Sequence, residues 1–150
     1  MIGRELFRHA TTVQVRNYEI DWQGIVHNAI YLHYFETGRI NYLQSLGINV
    51  DINAIQHDTR VVVARNEIDY RSPARFGDAL TVFTRIAELG KTSFTFEGLI
   101  EEERTRRVVA ENRSVHVWLD PVEHRPMDLP VFFVNRVMGF EGSNCTIRPK

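Results

Sequence analysis

A single change of period governs what this chain can fold into. From Asn28 to Leu46 the apolar residues Tyr31, Phe35, Tyr42 and Leu46, with Leu32 and Leu43 beside them, recur at spacings of three and four, and Gly47 follows as a stop signal. This predicts a helix of about five turns at 3.6 residues per turn. Ile30, Tyr34 and Ile40 widen its apolar stripe, so most of its circumference must be covered by protein. After a stretch rich in Asn, Asp and Gln (Asn49 to Asp58), the pattern turns to period two and keeps it. Val62, Ala64, Ile68 and Tyr70 are expected on one face of a strand, which Arg71-Ser72-Pro73-Ala74 interrupts. Gly77-Asp78 leads into Leu80, Val82 and Ile86; Gly90 marks a turn; Phe94, Phe96 and Ile100 form the next inward face. The mixed-charge run Glu101 to Arg107 reads as a solvated hairpin end, and a last strand from Val108 to Leu119 stops at Asp120-Pro121. A short strand over Thr11–Arg16, carrying Val13 and Val15, opens the chain. One long helix after a first strand, then four sequential strands, predicts an α+β fold with an antiparallel sheet covering the helix.

Composition narrows the class. The 150 residues are 43% hydrophobic and 25% charged, the balance of one globular domain spanning 1–150. A chain of this size buries about 68–70% of its unfolded surface and needs no staples. The core is expected over about 11–130, with a packing segment at Val131-Phe132-Phe133-Val134 and a Gly-Ser-Asn tail that frays. Lys plus Arg number 18 against 19 Asp plus Glu, a net charge of −1 that argues against nucleic acid as a partner. No apolar run reaches the length that spans a bilayer, the N-terminus lacks a secretory apolar region, and the single Cys145 can form no internal disulfide. These features predict a cytoplasmic protein without membrane insertion.

Chemistry concentrates between Tyr18 and Tyr31, where Asp21 precedes a Gly24 loop and a helix that starts near Asn28. The unpaired N–H groups of a first helical turn carry about half a positive charge and can hold an oxyanion. From the residues alone Asp21 reads two ways: as a nucleophile or general base beside that helix start, or as a loop cap for which Gly24 only permits the turn. Lys91, one of two lysines, stands at a strand start beside Gly90. His33 and Glu36 share a helix face, but no third ligand follows at a suitable spacing, so no metal is expected. Glu36 and Arg39 are spaced for an ion pair or an interface contact.

The order of these features resembles the acyl-CoA thioesterases of the hotdog fold, in the 4-hydroxybenzoyl-CoA thioesterase and YbgC-like branch. Tyr18, Glu19, Asp21, Gly24, Val26, Tyr31, Glu36 and Arg39 match that family's pattern. Ser72-Pro73-Ala74 with Gly77-Asp78, Leu89 to Phe94, Val117 to Asp120 and Arg125-Pro126 with Leu129-Pro130 follow in the family's order. Ile20, where Thr or Cys is common, and His27-Asn28 depart from it. The resemblance implies a sheet of about five strands around the central helix, homodimers or dimers of dimers, and an active site between subunits. It implies an acyl-CoA substrate and no cofactor. Catalysis would rest on Asp21, the Asn28 backbone N–H and the loop geometry of Gly24, and substrate binding on Tyr31, His27, Lys91 and Ser93, with Arg60, Arg65, Arg71 and Arg75 as further cations. Two other readings stand beside it. One is a non-catalytic acyl-thioester binding protein. The other is a hotdog enoyl-thioester hydratase, weakened because Asp21 and His27 are six apart rather than five and the Asn-Pro pair is absent.

Overall fold

A computed structural model describes residues 1–50 and 60–149. Strand β1 (His9–Gln14) comes first, then the long helix α1 (Ile30–Ser45). Four long strands follow: β2 (Arg60–Tyr70), β3 (Ala79–Leu89), β4 (Ser93–Glu102) and β5 (Val108–Leu119). Helix α2 (Val131–Glu141) and the short strand β6 (Thr146–Ile147) complete the chain. The long strands form one antiparallel sheet in the order β1-β3-β4-β5-β2, and β6 adds in parallel to β3. This is the α+β hotdog fold: one central helix held by a sheet. The polar stretch expected between helix and sheet falls largely at 51–59, outside the described residues.

Helix α1 lies on the sheet through Tyr31, Tyr34, Phe35, Gly38 and Tyr42, residues that the 3.6 period brings to one face. Gly38 permits the closest approach, since a Cβ there would stand 2.6 Å from Thr84 Oγ1 and 2.7 Å from Val82 Cγ1. The helix closes with a Schellman motif: Ile48 N–H donates to Leu43 O at 3.0 Å and Gly47 N–H to Gln44 O at 2.9 Å, while the Ile48 side chain packs into the core. The expected all-round cover of α1 is not met within one chain, because Leu32 and Ile40 are 41% and 40% exposed.

The sheet's inward face carries Leu80, Val82 and Ile86 from β3 and Phe94, Phe96 and Ile100 from β4, all buried as their alternation predicts. Strand β2 departs from expectation. A bulge between Val63 and Arg65 inserts one residue opposite β5, so the phase of alternation shifts partway along the strand. Before the bulge Val61 and Val63, opposite Trp118 and His116, face the helix; beyond it Ile68 and Tyr70 do. Val62 and Ala64 therefore do not share the face of Ile68 and Tyr70.

Two further differences lie at the chain's ends. Glu101 and Glu102 are only 7% exposed each, so the solvated hairpin starts at Glu103. The N-terminal segment covers them: Arg4 pairs with Glu101, and Phe7 packs on Phe83 with ring centroids 6.0 Å apart. At the other end the core runs past Pro130. Phe133 and Val137 of α2 are fully buried against Phe94 and Trp118, and the tail beyond Gly142 is docked on β3 rather than left loose. Glu141, also fully buried, fastens α2. It accepts the Tyr42 hydroxyl at 2.7 Å and the Ile86 N–H at 3.2 Å, and Ile86 adjoins the β3 bulge.

Candidate active site

The segment between β1 and α1 folds as a tight hairpin. Ile20 bridges Val26, Asp21 N–H donates to Ile25 O at 2.9 Å, and Gly24 N–H returns to Asp21 O at 3.0 Å. Gly24 sits at φ +78°, the left-handed region a residue with a Cβ enters only at a cost, which fixes Gly at this corner. Glu19 anchors the base of the hairpin by accepting the Arg16 N–H at 2.7 Å and the Tyr34 hydroxyl at 3.0 Å. Val26 N–H ties it to Ala74 O at 2.9 Å, so the Ser72-Pro73-Ala74 crossing buttresses the loop.

Asp21 and the start of α1 open into one cavity of about 610 Å³, lined also by His27, Tyr31, Tyr70 and Ser72. The Asp21 carboxylate is divided in its duties. Oδ1 accepts the Gln23 N–H at 2.8 Å, an Asx turn, while Oδ2 has no hydrogen-bond partner among the described residues. The cap and the free carboxylate oxygen thus belong to the same side chain. At the helix start, His27 Nδ1 accepts the Ala29 N–H at 3.0 Å and His27 O accepts the Ile30 N–H at 2.9 Å. The Asn28 N–H has no partner among the described residues, and the Tyr70 hydroxyl holds the Asn28 carbonyl at 3.0 Å. An unpaired N–H at a helix N-terminus is a donor suited to a developing oxyanion.

Tyr31 is buried at the inner wall. Its ring meets Tyr70 edge-on at 5.4 Å, and its hydroxyl accepts the Ala74 N–H at 3.2 Å. Burial raises its pKa, which keeps the phenol neutral. Sequence reasoning gave no place in the site to Tyr70, Ser72 or Trp22. Tyr70 belongs there because the β2 bulge turns it toward the helix, a shift that alternation alone does not announce. Trp22, 91% exposed beside Asp21, gave a usable signal: an aromatic residue next to a loop carboxylate.

Lys91 and Ser93 are not brought to this cavity within one chain. They stand at the Gly90 turn, while the cavity lies at the other end of the sheet; the ten residues of β4 separate the two ends by about 30 Å. Arg71 pairs with Glu111 at 2.8 Å and Arg65 with Glu67. The expected Glu36–Arg39 ion pair is not formed: Arg39 turns to Asn112 Oδ1, at 3.5 Å. Among the described residues, no group of three His, Cys, Asp or Glu is placed to hold a metal ion, and no helix is long and apolar enough to cross a membrane.

The cavity, hairpin and helix all fall within residues 15–137, which match the family model of the thioesterase-like superfamily. The chain belongs to that superfamily. Among similar proteins, the acyl-acyl carrier protein thioesterase ATL3, chloroplastic, of Arabidopsis thaliana is 31% identical over 122 residues, covering 81% of this chain and 63% of that protein. The chain thus spans less than two thirds of that relative's length. The long-chain acyl-CoA thioesterase FadM of Escherichia coli is 31% identical over 110 residues, 73% of this chain and 82% of that protein. A crystal structure of a Thermus thermophilus thioesterase complexed with coenzyme A and Zn is 34% identical, covers 97% of this chain and 99% of that one, and superposes with a TM-score of 0.80. This thioesterase-like chain therefore joins a shared fold to a loop whose Asp21 and Asn28 line one cavity.

Proposed function

We propose that the protein is a thioester hydrolase that converts an acyl-CoA to the free acid and CoA. The observation that carries this reading is that one cavity is lined by both Asp21 and Asn28, whose Oδ2 and N–H have no hydrogen-bond partner among the described residues. In the reaction the thioester carbonyl oxygen lies against the Asn28 N–H, which stabilises the charge it gains in the tetrahedral state. Asp21 then acts in one of two ways. As a general base it takes a proton from the attacking water; as a nucleophile it forms a mixed anhydride that water opens. The thiolate leaves readily, since an ordinary thiol has a pKa of about 8.5, and the reaction as proposed needs no cofactor.

The site as we read it is completed by a second copy. The outer edge of β2 has no strand partner among the described residues, and Val62, Val63 and Tyr70 are 40%, 50% and 51% exposed along it. Leu32 and Ile40 of α1 leave a further apolar stripe uncovered. A long edge strand with exposed apolar residues, beside an uncovered apolar stripe on the helix, calls for cover. Antiparallel pairing of two β2 strands about a two-fold axis sets the Arg60 end of one beside the Tyr70 end of the other. Arg60 pairs with Leu119, and Thr92 O accepts the Trp118 N–H, so the partner's Lys91 and the partner's Ser93 are carried toward this chain's Asp21. A dimer, or a dimer of dimers, is the proposed working unit. A reducing, cytoplasmic setting fits the single Cys145, which is buried and free.

Release of free thiol from a panel of acyl-CoAs tests the hydrolase reading. Turnover that depends on Asp21 supports it; tight binding of acyl-CoA without turnover would replace it with a non-catalytic acyl-thioester binding protein. The hydratase alternative finds less support, because His27 Nδ1 is occupied by the Ala29 N–H.

A further inference from the structure

A second cavity, of about 210 Å³, lies between the flank of α1 and the inward faces of β2, β4 and β5. Ile40, Leu43 and Val61 are among its apolar walls, and Glu36, Arg39 and His116 are its polar members. These polar groups are short of partners. The Arg39 guanidinium has one hydrogen bond, to the neutral Asn112 Oδ1 at 3.5 Å, and no carboxylate at ion-pair distance among the described residues. Glu36, one turn away on the helix, likewise forms no ion pair among them. His116 is 6% exposed; its Nε2 meets Ser114 Oγ at 2.9 Å, and its Nδ1 has no partner among the described residues. Burial, and then Arg39, keep this ring neutral, with its pKa down to about 3. Buried polar groups are as a rule paired, and a cation drawn out of water without an anion is costly, so a cavity holding both groups is fitted to a polar ligand.

We infer that this cavity selects the acyl group of the substrate by a hydroxyl near its far end: the chain lies along the apolar walls and the hydroxyl oxygen accepts a hydrogen bond from Arg39. The inference rests on the proposed hydrolysis and adds a substrate class to it, an aliphatic hydroxyacyl thioester. Charge decides between a hydroxyl and a carboxylate. Arg39 and Glu36 sum to zero, so a carboxylate is repelled by one as it is attracted by the other. A hydroxyl accepts from Arg39 and has a proton to give to His116 Nδ1 or to Glu36.

The helix sets the reach. Asn28, Leu32, Glu36 and Arg39 follow one another at spacings of four, four and three, so one stripe leads from the Asn28 N–H, proposed to hold the thioester oxygen, to Arg39. Leu32, 41% exposed, gives that stripe an apolar surface midway. From Ile30 to Arg39 the helix rises about 14 Å, at about 1.5 Å per residue. Helix side chains tilt toward the N-terminus, and the long arginine side chain covers about a third of that rise. The remaining distance is about eight bonds of an extended chain at about 1.2 Å each, which puts the hydroxyl near the eighth carbon. The cavity is smaller than the roughly 300–1,000 Å³ of drug-sized pockets and suits one such tail.

The test compares three CoA thioesters of one length: octanoyl, 8-hydroxyoctanoyl, and the mono-thioester of octanedioic acid. Binding is followed by calorimetry in the full chain carrying Asp21→Asn, and kcat/KM by thiol release in the wild type. The 8-hydroxyoctanoyl thioester is expected to bind at least about tenfold more tightly than octanoyl, the worth of one hydrogen bond to a charged donor, and to show the same ratio in kcat/KM. The octanedioic thioester should gain less. Arg39→Met, which fills the space without the charge, should bring the hydroxyl-to-alkyl ratio to about one, and Arg39→Lys should keep part of it. Octanoyl binding as tightly as 8-hydroxyoctanoyl overturns the inference, and so does a ratio that Arg39→Met leaves unchanged. Preference for the octanedioic thioester over the hydroxyl one means that the cavity reads charge, which overturns the hydroxyl assignment. The wild-type ratio decides by itself should Arg39→Met fail to fold. If the hydroxyl preference holds in binding and no thioester is hydrolysed, the cavity reading stands and the hydrolase reading falls; hydrolysis of all three at equal kcat/KM gives the reverse.

Discussion

Replacing Asp21 in two ways separates the two duties of its carboxylate. Oδ1 holds the Gln23 N–H at 2.8 Å, and Oδ2 has no hydrogen-bond partner among the described residues. Asp21→Asn keeps an acceptor oxygen for Gln23, so the hairpin keeps its turn while the charge and the basicity go. Asp21→Ala removes both. The lost turn bond is a single hydrogen bond in an exposed loop, worth about 0.5–1.5 kcal/mol. For a chain of this size about 1 kcal/mol moves Tm by about 2–4 °C, so the alanine variant should melt a few degrees low and the asparagine variant near the wild type. Turnover should follow the opposite logic. Both variants lose a positioned base or nucleophile, and kcat should fall by about 10²–10⁴, or about 2.7–5.4 kcal/mol of barrier. A melting curve and a thiol-release assay with a hydrolysable acyl-CoA measure the two effects on the same samples. If Asp21→Asn restores turnover to within a few-fold of the wild type while Asp21→Ala lowers only Tm, the carboxylate is a loop cap and the catalytic reading is wrong.

Three further outcomes follow from the packing. Val62→Glu places a charge on the exposed outer face of the β2 edge strand and is expected to shift the protein toward monomer in sedimentation equilibrium and to remove most activity; a fully active monomer would refute a site shared between subunits. Burial raises the pKa of Glu141 above its ordinary 4.5, so the folded state favours the protonated form; stability it contributes is present below that value and is lost as pH rises through the folded pKa. Glu141→Gln should therefore gain in Tm relative to the wild type as pH is raised from about 4.5. His116, buried against Phe94 with its Nε2 at 2.9 Å from Ser114 Oγ, has the reverse sign: burial, and then Arg39, hold its pKa down to about 3. The wild type should lose up to about 1.4 kcal/mol per pH unit relative to His116→Gln as pH falls below 6.5, read by denaturant titration at several pH values.

Much of the fold is readable wherever one period persists. Tyr31, Phe35 and Tyr42 mark the buried face of α1, and Phe94, Phe96 and Ile100 that of β4, because one period runs unbroken through each set. Strand β2 fails this condition. Its bulge exchanges the inward phase from Val61 and Val63 to Ile68 and Tyr70, and an edge strand with most residues exposed imposes too weak an apolar pattern to reveal the slip. The C-terminal segment misleads for a different reason. Phe133, Val137 and Glu141 are spaced four apart, a helical stripe, but it is short and closes with a buried carboxylate that reads as solvent-facing. The Tyr42 hydroxyl and the Ile86 N–H, both distant in sequence, help make that burial tolerable.

The same division runs through the site. Asp21, Gly24, His27, Asn28 and Tyr31 are close in sequence, and local hydrogen bonds, buttressed by the Ala74 crossing, bring them to one cavity, so their grouping is visible in a stretch of eleven residues. Tyr70 and Ser72 join only through the sheet, and nothing in their neighbourhood marks them. Lys91 and Ser93 are harder still, since the fold of one chain carries them away from Asp21 rather than toward it. If a second copy returns them, the separation has a physical use. A substrate with a reactive thioester at one end and charged phosphates at the other is well held by elements several strands apart, where the cations do not neutralise the carboxylate proposed to do the chemistry. Across three to four strand spacings, about 14–19 Å at about 4.8 Å each and one to two Debye lengths at ordinary ionic strength, such charges act on Asp21 only weakly. A dimer joined at β2 would thus bring the partner's Lys91 within reach of a bound substrate without placing its charge beside the Asp21 carboxylate.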